Sequence, residues 1–243
     1  MDNKVAIITG ASRGIGAAIA KRLAADGFRV VINYSQTAKS ALIVVKEIEQ
    51  VGGQAIALQA DIVQPHQVKA LFEQTIQVYG GVDVLVNNAG IMQLAPIADT
   101  TDDMFDQQIN VNLKGTFNTL REAAQYLREG GRIINFSTSV VGLKLENYAV
   151  YAATKAAVET MTAIFAKELR GKNICVNAIA PGPTATDLFL NEKSPELIER
   201  MAQASPLQRL AQPDDIAATV AFLASKDGAW INGQTLRANG GLV

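Results

Sequence analysis

Short runs of β-branched and aliphatic residues alternate with longer helix-patterned segments along the whole chain, and this alternation constrains the fold most. Residues 5–9, 29–33, 54–59, 82–86, 132–137, 174–180 and 234–237 read as strands. Helical patterns fill the intervals at about 15–26, 38–51, 65–79, 102–128, 149–170 and 213–224. Gly27 and Gly52-Gly53 stand where the first two helices must stop, and Pro65 stands where the third begins. The mixed polar and apolar stretch 187–208 reads as one or two mobile helices forming a lid over a substrate. Strands apolar on both faces and spaced by helices imply a parallel sheet built from right-handed βαβ units. With no repeat, charge run or linker in view, we expect one doubly wound α/β domain over residues 1–243, with about seven parallel strands.

Composition narrows the class of function. The chain of 243 residues is 49% apolar and 19% charged, which argues for a packed core and against disorder. Its 22 basic and 23 acidic side chains leave a net charge of −1, with no electrostatic footprint for nucleic acid or an anionic membrane. A single cysteine, Cys175, excludes an intrachain disulfide, and with the single histidine, His66, it excludes the usual Cys/His zinc sites. No apolar run reaches the ~18 residues of a bilayer span. Met1-Asp2-Asn3-Lys4 leads into an apolar stretch too short for a signal peptide, so a cytoplasmic protein is expected.

The first strand and first helix are joined by Thr9-Gly10-Ala11-Ser12-Arg13-Gly14-Ile15-Gly16. Glycines here permit a tight turn, close backbone approach to a pyrophosphate, and close packing of helix on strand. The open N–H groups and dipole at the helix start then favour phosphate, which is the Rossmann-type arrangement for a dinucleotide. Gly10-x-Ser12-x-Gly14 also fits the nucleophile elbow of α/β-hydrolases. That reading needs a histidine after Ser12, and only His66 exists, at a helix start where a solvated role is ordinary. The elbow also normally follows several strands, so the dinucleotide reading is preferred. At the end of the second strand, Asn33-Tyr34-Ser35 lacks the carboxylate that would take an NAD ribose. Arg13 on the facing loop adds a planar donor suited to a 2′-phosphate, so NADP is favoured.

Further motifs follow in order. Asp61 comes after the third strand and Asn87-Asn88-Ala89-Gly90 after the fourth. Asn112-Leu113 lies in the next helical region, and Ser139-Val140-Val141-Gly142 follows the fifth strand. Tyr151-x-x-x-Lys155, Pro181-Gly182 and Asn239-Gly240-Gly241 complete the series. A single Tyr-x-x-x-Lys is expected by chance about 0.25 times in a chain of this composition. The whole ordered series closely resembles the short-chain dehydrogenase/reductase family.

Tyr151 and Lys155 are i,i+4 on one helix and share a face. An ammonium beside a phenol favours the phenolate and is expected to lower the tyrosine pKa, readying it to exchange a proton with a carbonyl or alcohol oxygen. The resemblance implies that Lys155 also binds the nicotinamide ribose and that Asn112 positions a water in a proton relay. It further implies a hydroxyl that binds the substrate oxygen. The local pattern favours Ser139 for that hydroxyl. A gap-free count from residue 132 and strand alternation favour Thr138. Ser139 is the expectation, with Thr138 the alternative. By resemblance Asp61 and Ile62 bracket the adenine, and Asn88, Ala89 and Gly90 line the cofactor's middle. Pro181, Gly182, Thr184 and Thr186 approach the nicotinamide carboxamide.

Substrate contacts are expected from Met92, Gln93 and Leu94, from Val140, Leu143 and Tyr148, and from Leu188, Phe189, Leu190 and Met201. Core packing is the simpler role for Met201. The mostly apolar set suits a neutral ketone or aldehyde. Two assignments within the family compete: a 3-oxoacyl-acyl-carrier-protein reductase, with Arg128 and Lys172 as partner-binding cations, and a carbonyl reductase acting on a free small molecule. A dinucleotide sensor without turnover is the alternative from another class. The family implies a homotetramer packed through the helices at 102–128 and 149–170, where Ala152, Ala153, Ala156 and Ala157 permit close approach. Gly241-Leu242-Val243 is expected against a neighbouring chain.

Overall fold

The computed structural model describes residues 4–191 and 193–243. Its elements in chain order begin with β1 (Val5–Ile8), α1 (Gly14–Ala25), β2 (Arg29–Tyr34), α2 (Ala38–Gln50), β3 (Gln54–Gln59) and α3 (Pro65–Tyr79). They continue with β4 (Val82–Asn87), α4 (Asp102–Gln108), α5 (Thr116–Tyr126), β5 (Leu127–Phe136), α6 (Val140–Leu143), α7 (Ala149–Glu168) and β6 (Cys175–Pro181). The remainder comprises α8 (Asp187–Leu190), α9 (Pro195–Gln203), α10 (Pro213–Ala224) and β7 (Thr235–Ala238). The strands form one parallel sheet in the order β3-β2-β1-β4-β5-β6-β7. The chain therefore runs outward from β1 to β3, returns to β4 beside β1, and continues to β7. The reversal between β1 and β4 opens a crevice at the carboxyl ends of the strands, where such sheets bind ligands.

Alternation along each strand divides the core in two. Ala6, Ile8, Val30, Ile32, Val84 and Val86 pack with Ile19 and Leu23 of α1, Val44 and Ile48 of α2, and Val220 of α10. Ile7, Val31, Leu85, Ile133 and Val176 face the other way, onto Val68, Leu71 and Phe72 of α3 and Leu120 of α5. Burying each such side chain contributes ~1.5–3 kcal/mol before conformational entropy is counted. The run of both-faced burial explains why the strands were legible as continuous apolar segments.

Two boundaries differ from expectation. The helix read over 102–128 is not continuous: α4 and α5 are separated by a π-helical stretch, Ile109–Gly115, and β5 already begins at Leu127. β5 enters the sheet early because Leu127 pairs with Val82, after which the register shifts so that Val84 pairs with Arg132. A π stretch widens the turn by one residue and is common at functional sites. Within 187–208, α8 and α9 form two short helices, and Ser194 caps α9 by accepting the Leu197 N–H at 3.3 Å. Among the described residues, no helix is long and apolar enough to cross a membrane, and no cluster of His, Cys, Asp and Glu could hold a metal.

Candidate active site

The β1–α1 turn forms its cradle through backbone geometry. Gly10 and Gly14 have φ of +61° and +56°, which side chains rarely adopt. A Cβ on Gly16 would lie 2.6 Å from both the Asn88 amide nitrogen and the Gly10 carbonyl, so only glycine fits there. Arg13 precedes α1 on extended backbone; no side chain caps the helix and its first turn holds no acid. The helix start is thus left open toward the crevice, as a pyrophosphate requires. Ser12 shares this turn, whereas His66 is exposed on α3, against the opposite face of the sheet from α1. The nucleophile-elbow pairing is therefore not assembled.

Neighbouring loops are tied to the turn. Asn88 donates from its amide to the Thr9 and Gly10 carbonyls at 2.9 and 3.1 Å, and the Ala89 N–H donates to Thr9 Oγ1 at 3.0 Å. Asn33 is buried: its Oδ1 accepts the Gly10 N–H at 3.4 Å and its Nδ2 donates to the Ala60 carbonyl at 3.0 Å. Its side chain thus binds the turn to β2 and β3, leaving Ser35 and Arg13 exposed and Tyr34 half-buried at the mouth of the turn. Asp61 accepts the Val63 N–H at 3.0 Å, and Ile62 packs against Gly115, where a Cβ would meet it at 2.6 Å. From across the crevice Thr186 reaches Gly14, with methyl contact at 3.5 Å to the position of a Cβ there. Thr184 donates to the Gly182 carbonyl at 2.9 Å, and Gly182 passes so near Asn239 that a Cβ would lie 3.0 Å from its Cα. Pro181 ends β6 beside them.

The π stretch presents Asn112 inward and fully buried. Its Oδ1 accepts the Ile91 N–H at 2.8 Å, while Nδ2 donates to the Ile91 carbonyl at 2.9 Å and to Thr154 Oγ1 at 3.3 Å. The side chain is therefore a clamp joining the loop after β4 to α7. Gly90 sits at the same junction, where a Cβ would lie 3.2 Å from Asn112 Oδ1 and 3.4 Å from Lys155 Nζ. Lys155, buried, donates to the Phe136 carbonyl at 2.9 Å and lies 5.9 Å from the centroid of the Tyr151 ring.

Tyr151 is hydrogen-bonded to Thr138. Ser139, expected in that position, instead turns its hydroxyl to β6 and β7: it donates to the Ala180 carbonyl at 3.2 Å and accepts from Asn239 Nδ2 at 2.9 Å. The physical reason is the side-chain alternation on leaving β5, which points Thr138 and Ser139 in different directions. A second expectation also changes. The Tyr151 phenol is pushed up to about 12, not down, because desolvation outweighs the hydrogen bond from Thr138. Burial likewise pushes Lys155 itself down to about 8.

This lowered lysine has a consequence for stability. Between pH 8 and the ordinary lysine value of 10.5, the unfolded chain binds a proton at Lys155 that the folded chain does not. Stability from this group therefore rises with pH across that window and falls as pH drops through about 8. Denaturant unfolding of the cofactor-free protein from pH 7.5 to 9.5 should show this rise, and Lys155→Met should flatten it. Parallel pH curves for the two proteins would contradict the assignment.

The crevice opens into a cavity of about 370 Å³ beside Tyr151. Met92, Val140, Leu143, Tyr148, Leu188, Phe189 and Met201 all line it, whereas Gln93, Leu94 and Leu190 do not. Met201, more readily expected in the core, reaches the wall because Leu197, Arg200, Met201 and Ala204 share one face of α9. That i, i+3, i+4, i+7 spacing was the available signal for Leu197, Arg200 and Ala204. Leu242 also lines the cavity, and no local pattern marks it. Tyr148 stacks edgewise on Tyr151 with ring centroids 6.4 Å apart. The cations Arg128 and Lys172 are engaged within the fold: Arg128 pairs with Asp83 at 3.4 Å, and Lys172 donates to the Ala124 carbonyl at 2.9 Å.

A family model described as enoyl-(acyl carrier protein) reductase matches residues 10–243. The chain is 44% identical over 253 residues to a short-chain type dehydrogenase/reductase of Picea abies, covering 100% of this chain and 93% of that one. It is 44% identical over 254 residues to an NADPH-dependent aldehyde reductase-like protein, chloroplastic, of Arabidopsis thaliana, covering 99% and 94%. The crystal structure of a short chain dehydrogenase from Burkholderia cenocepacia in complex with NADP matches with a TM-score of 0.93 at 39% identity, covering 99% and 98%. The sheet, the glycine turn and the Tyr151–Lys155 pair define a dinucleotide-dependent oxidoreductase. The chain belongs to the short-chain dehydrogenase/reductase family.

Proposed function

We propose that this protein reduces a free ketone or aldehyde to an alcohol with NADPH, Tyr151 acting as the general acid. The observation that carries the reading is the half-buried Tyr151 lining an apolar cavity together with Thr138 and the buried Lys155. The open start of α1 suits the pyrophosphate. Arg13, Tyr34 and Ser35, with the uncapped and acid-free start of α2, suit a 2′-phosphate. Asp61 and Ile62 would bracket the adenine, Asn88, Ala89 and Gly90 would line the cofactor's middle, Pro181, Gly182, Thr184 and Thr186 would approach the nicotinamide, and Lys155 would bind its ribose. The NADPH-dependent name of the Arabidopsis relative and the NADP complex of the Burkholderia structure support this cofactor.

When bound, NADPH supplies the hydride that the carbonyl carbon accepts. With substrate bound, Thr138 turns its one O–H from Tyr151 to the carbonyl oxygen and Tyr151 gives that oxygen a proton, so the product leaves as a neutral alcohol. Thr138, rather than Ser139, is assigned this role because its hydroxyl shares the Tyr151 hydrogen bond. Asn112 holds the Ile91 loop and α7 in fixed relation, which keeps Gly90 and Lys155 adjacent. The engaged state of Arg128 and Lys172 weighs against an acyl-carrier partner, and the intact Tyr151–Lys155 pair weighs against a sensor without turnover.

The reading is tested by following NADPH loss at neutral pH with an aromatic aldehyde, a diketone and a 3-oxoacyl thioester, with NADH as control. Turnover of the free carbonyls with NADPH supports it; turnover of the thioester alone would replace it with the acyl-carrier reading. We further propose a homotetramer in the cytoplasm, packed through α4, α5 and α7. Exposed Phe105, Phe117 and Ile164 lie on those helices and give them apolar surface to cover. A monomeric mass by light scattering at micromolar protein would overturn the tetramer.

A further inference from the structure

The segment after β7 folds back onto its own chain. Asn239 is buried, and its carboxamide makes four hydrogen bonds there. Oδ1 accepts the N–H groups of Gly241 and Leu242 at 3.1 and 3.2 Å. Nδ2 donates to Ser139 Oγ at 2.9 Å and to the Val243 carbonyl at 3.2 Å. Ser139 passes the tie on to β6 through the Ala180 carbonyl. Val243 then seats against Gly142, where a Cβ would meet its methyl at 2.9 Å. The result is that Leu242 is held as part of the cavity wall.

We propose that Asn239 is a specificity-determining positioning residue: its carboxamide fixes Leu242 as the wall against which the apolar body of a bulky carbonyl substrate packs. It rests on the reading of this cavity as the substrate site. The side chain touches no reacting atom: Asn239 is not among the residues that line the cavity, whereas Ser139 and Leu242, which it holds, are. Both hydrogen-bonding ends of one amide are needed: the oxygen gathers the two N–H groups of the turn, and the nitrogen anchors that turn to the end of β5. Removing the carboxamide leaves the Gly241 N–H without a partner, the Leu242 N–H with only the Asn239 main-chain carbonyl at 3.3 Å, and Ser139 tied to Ala180 but no longer to the turn, so the turn is freer to move away from the cavity. A small aldehyde that never reaches Leu242 loses nothing by this, whereas a large one loses a wall.

The test compares kcat/KM for 2-naphthaldehyde with that for propanal, using NADPH and the full chain. In Asn239→Ala the bulky-to-small ratio should fall about fivefold, carried by KM for the naphthyl substrate. Leu242→Ala, which leaves the clasp intact, should lower the ratio similarly, and the double variant should fall no further. Amide exchange at Gly241 and Leu242 should quicken in Asn239→Ala, reporting release of the turn without reference to turnover. An unchanged ratio in Leu242→Ala overturns the proposal even if Asn239→Ala fails to fold. So does a kcat loss shared equally by both aldehydes. If the wild-type protein oxidises NADPH with neither aldehyde, the reductase reading itself falls, and this inference with it.

Discussion

Tyr151→Phe should lower kcat for NADPH-dependent carbonyl reduction by about three orders of magnitude while leaving the Kd for NADPH within about twofold. The substitution removes one oxygen and keeps the ring, so the edgewise packing on Tyr148 and the cavity wall remain. What disappears is the phenol hydroxyl beside Thr138 that is acidic enough to release a proton to an alkoxide. Because burial holds the phenol near 12, it is fully protonated through the neutral range. The rate of reduction should therefore be flat from about pH 6 to 7 and decline toward and above pH 8, as Lys155 and then Tyr151 lose protons. Initial rates and NADPH fluorescence titration together check the claim. A variant retaining more than a tenth of wild-type kcat, with unaltered binding, would remove Tyr151 from the acid role.

The depth of Tyr151 also marks where sequence reasoning stops. Spacing places Tyr151 and Lys155 on one helix face, and it gives the composition of that face. It does not give the distance from water, and here desolvation moves both groups in the direction opposite to mutual charge stabilisation. The sheet was legible because Ile7, Val31 and Leu85 are apolar next to equally apolar Ile8, Val30 and Val86, a pattern only a doubly covered parallel sheet sustains. The π stretch around Asn112 carried no such sign. Its spacing differs from an α-helix by a single residue, and the reason for it is tertiary: the Asn112 amide must reach Ile91 and Thr154 together. Leu242 was invisible for a related reason. Its place in the cavity depends on Asn239 meeting Ser139, 100 residues away in sequence.

The choice between Thr138 and Ser139 has the second largest expected effect. Thr138→Ala should lower kcat about 100-fold, since it removes the hydroxyl that shares the Tyr151 hydrogen bond and would steady charge on the carbonyl oxygen. Thr138→Ser keeps that hydroxyl and should retain kcat within about fivefold, which separates loss of a donor from loss of bulk. Ser139→Ala breaks the contacts to Ala180 and Asn239 instead. Its effect should therefore appear in KM for bulky carbonyls, with kcat for small ones held within about fivefold. The pH profile adds a readout that packing alone does not move. Loss of the Thr138 hydroxyl takes away a bond that favours the phenolate, so the alkaline limb assigned to Tyr151 should shift upward in Thr138→Ala and stay in place in Ser139→Ala. If Ser139→Ala instead gave the larger kcat loss together with the shifted limb, the local Ser-Val-Val-Gly pattern would have been the better guide. The carbonyl-binding hydroxyl would then be Ser139, swung from Asn239 toward Tyr151 when substrate is bound.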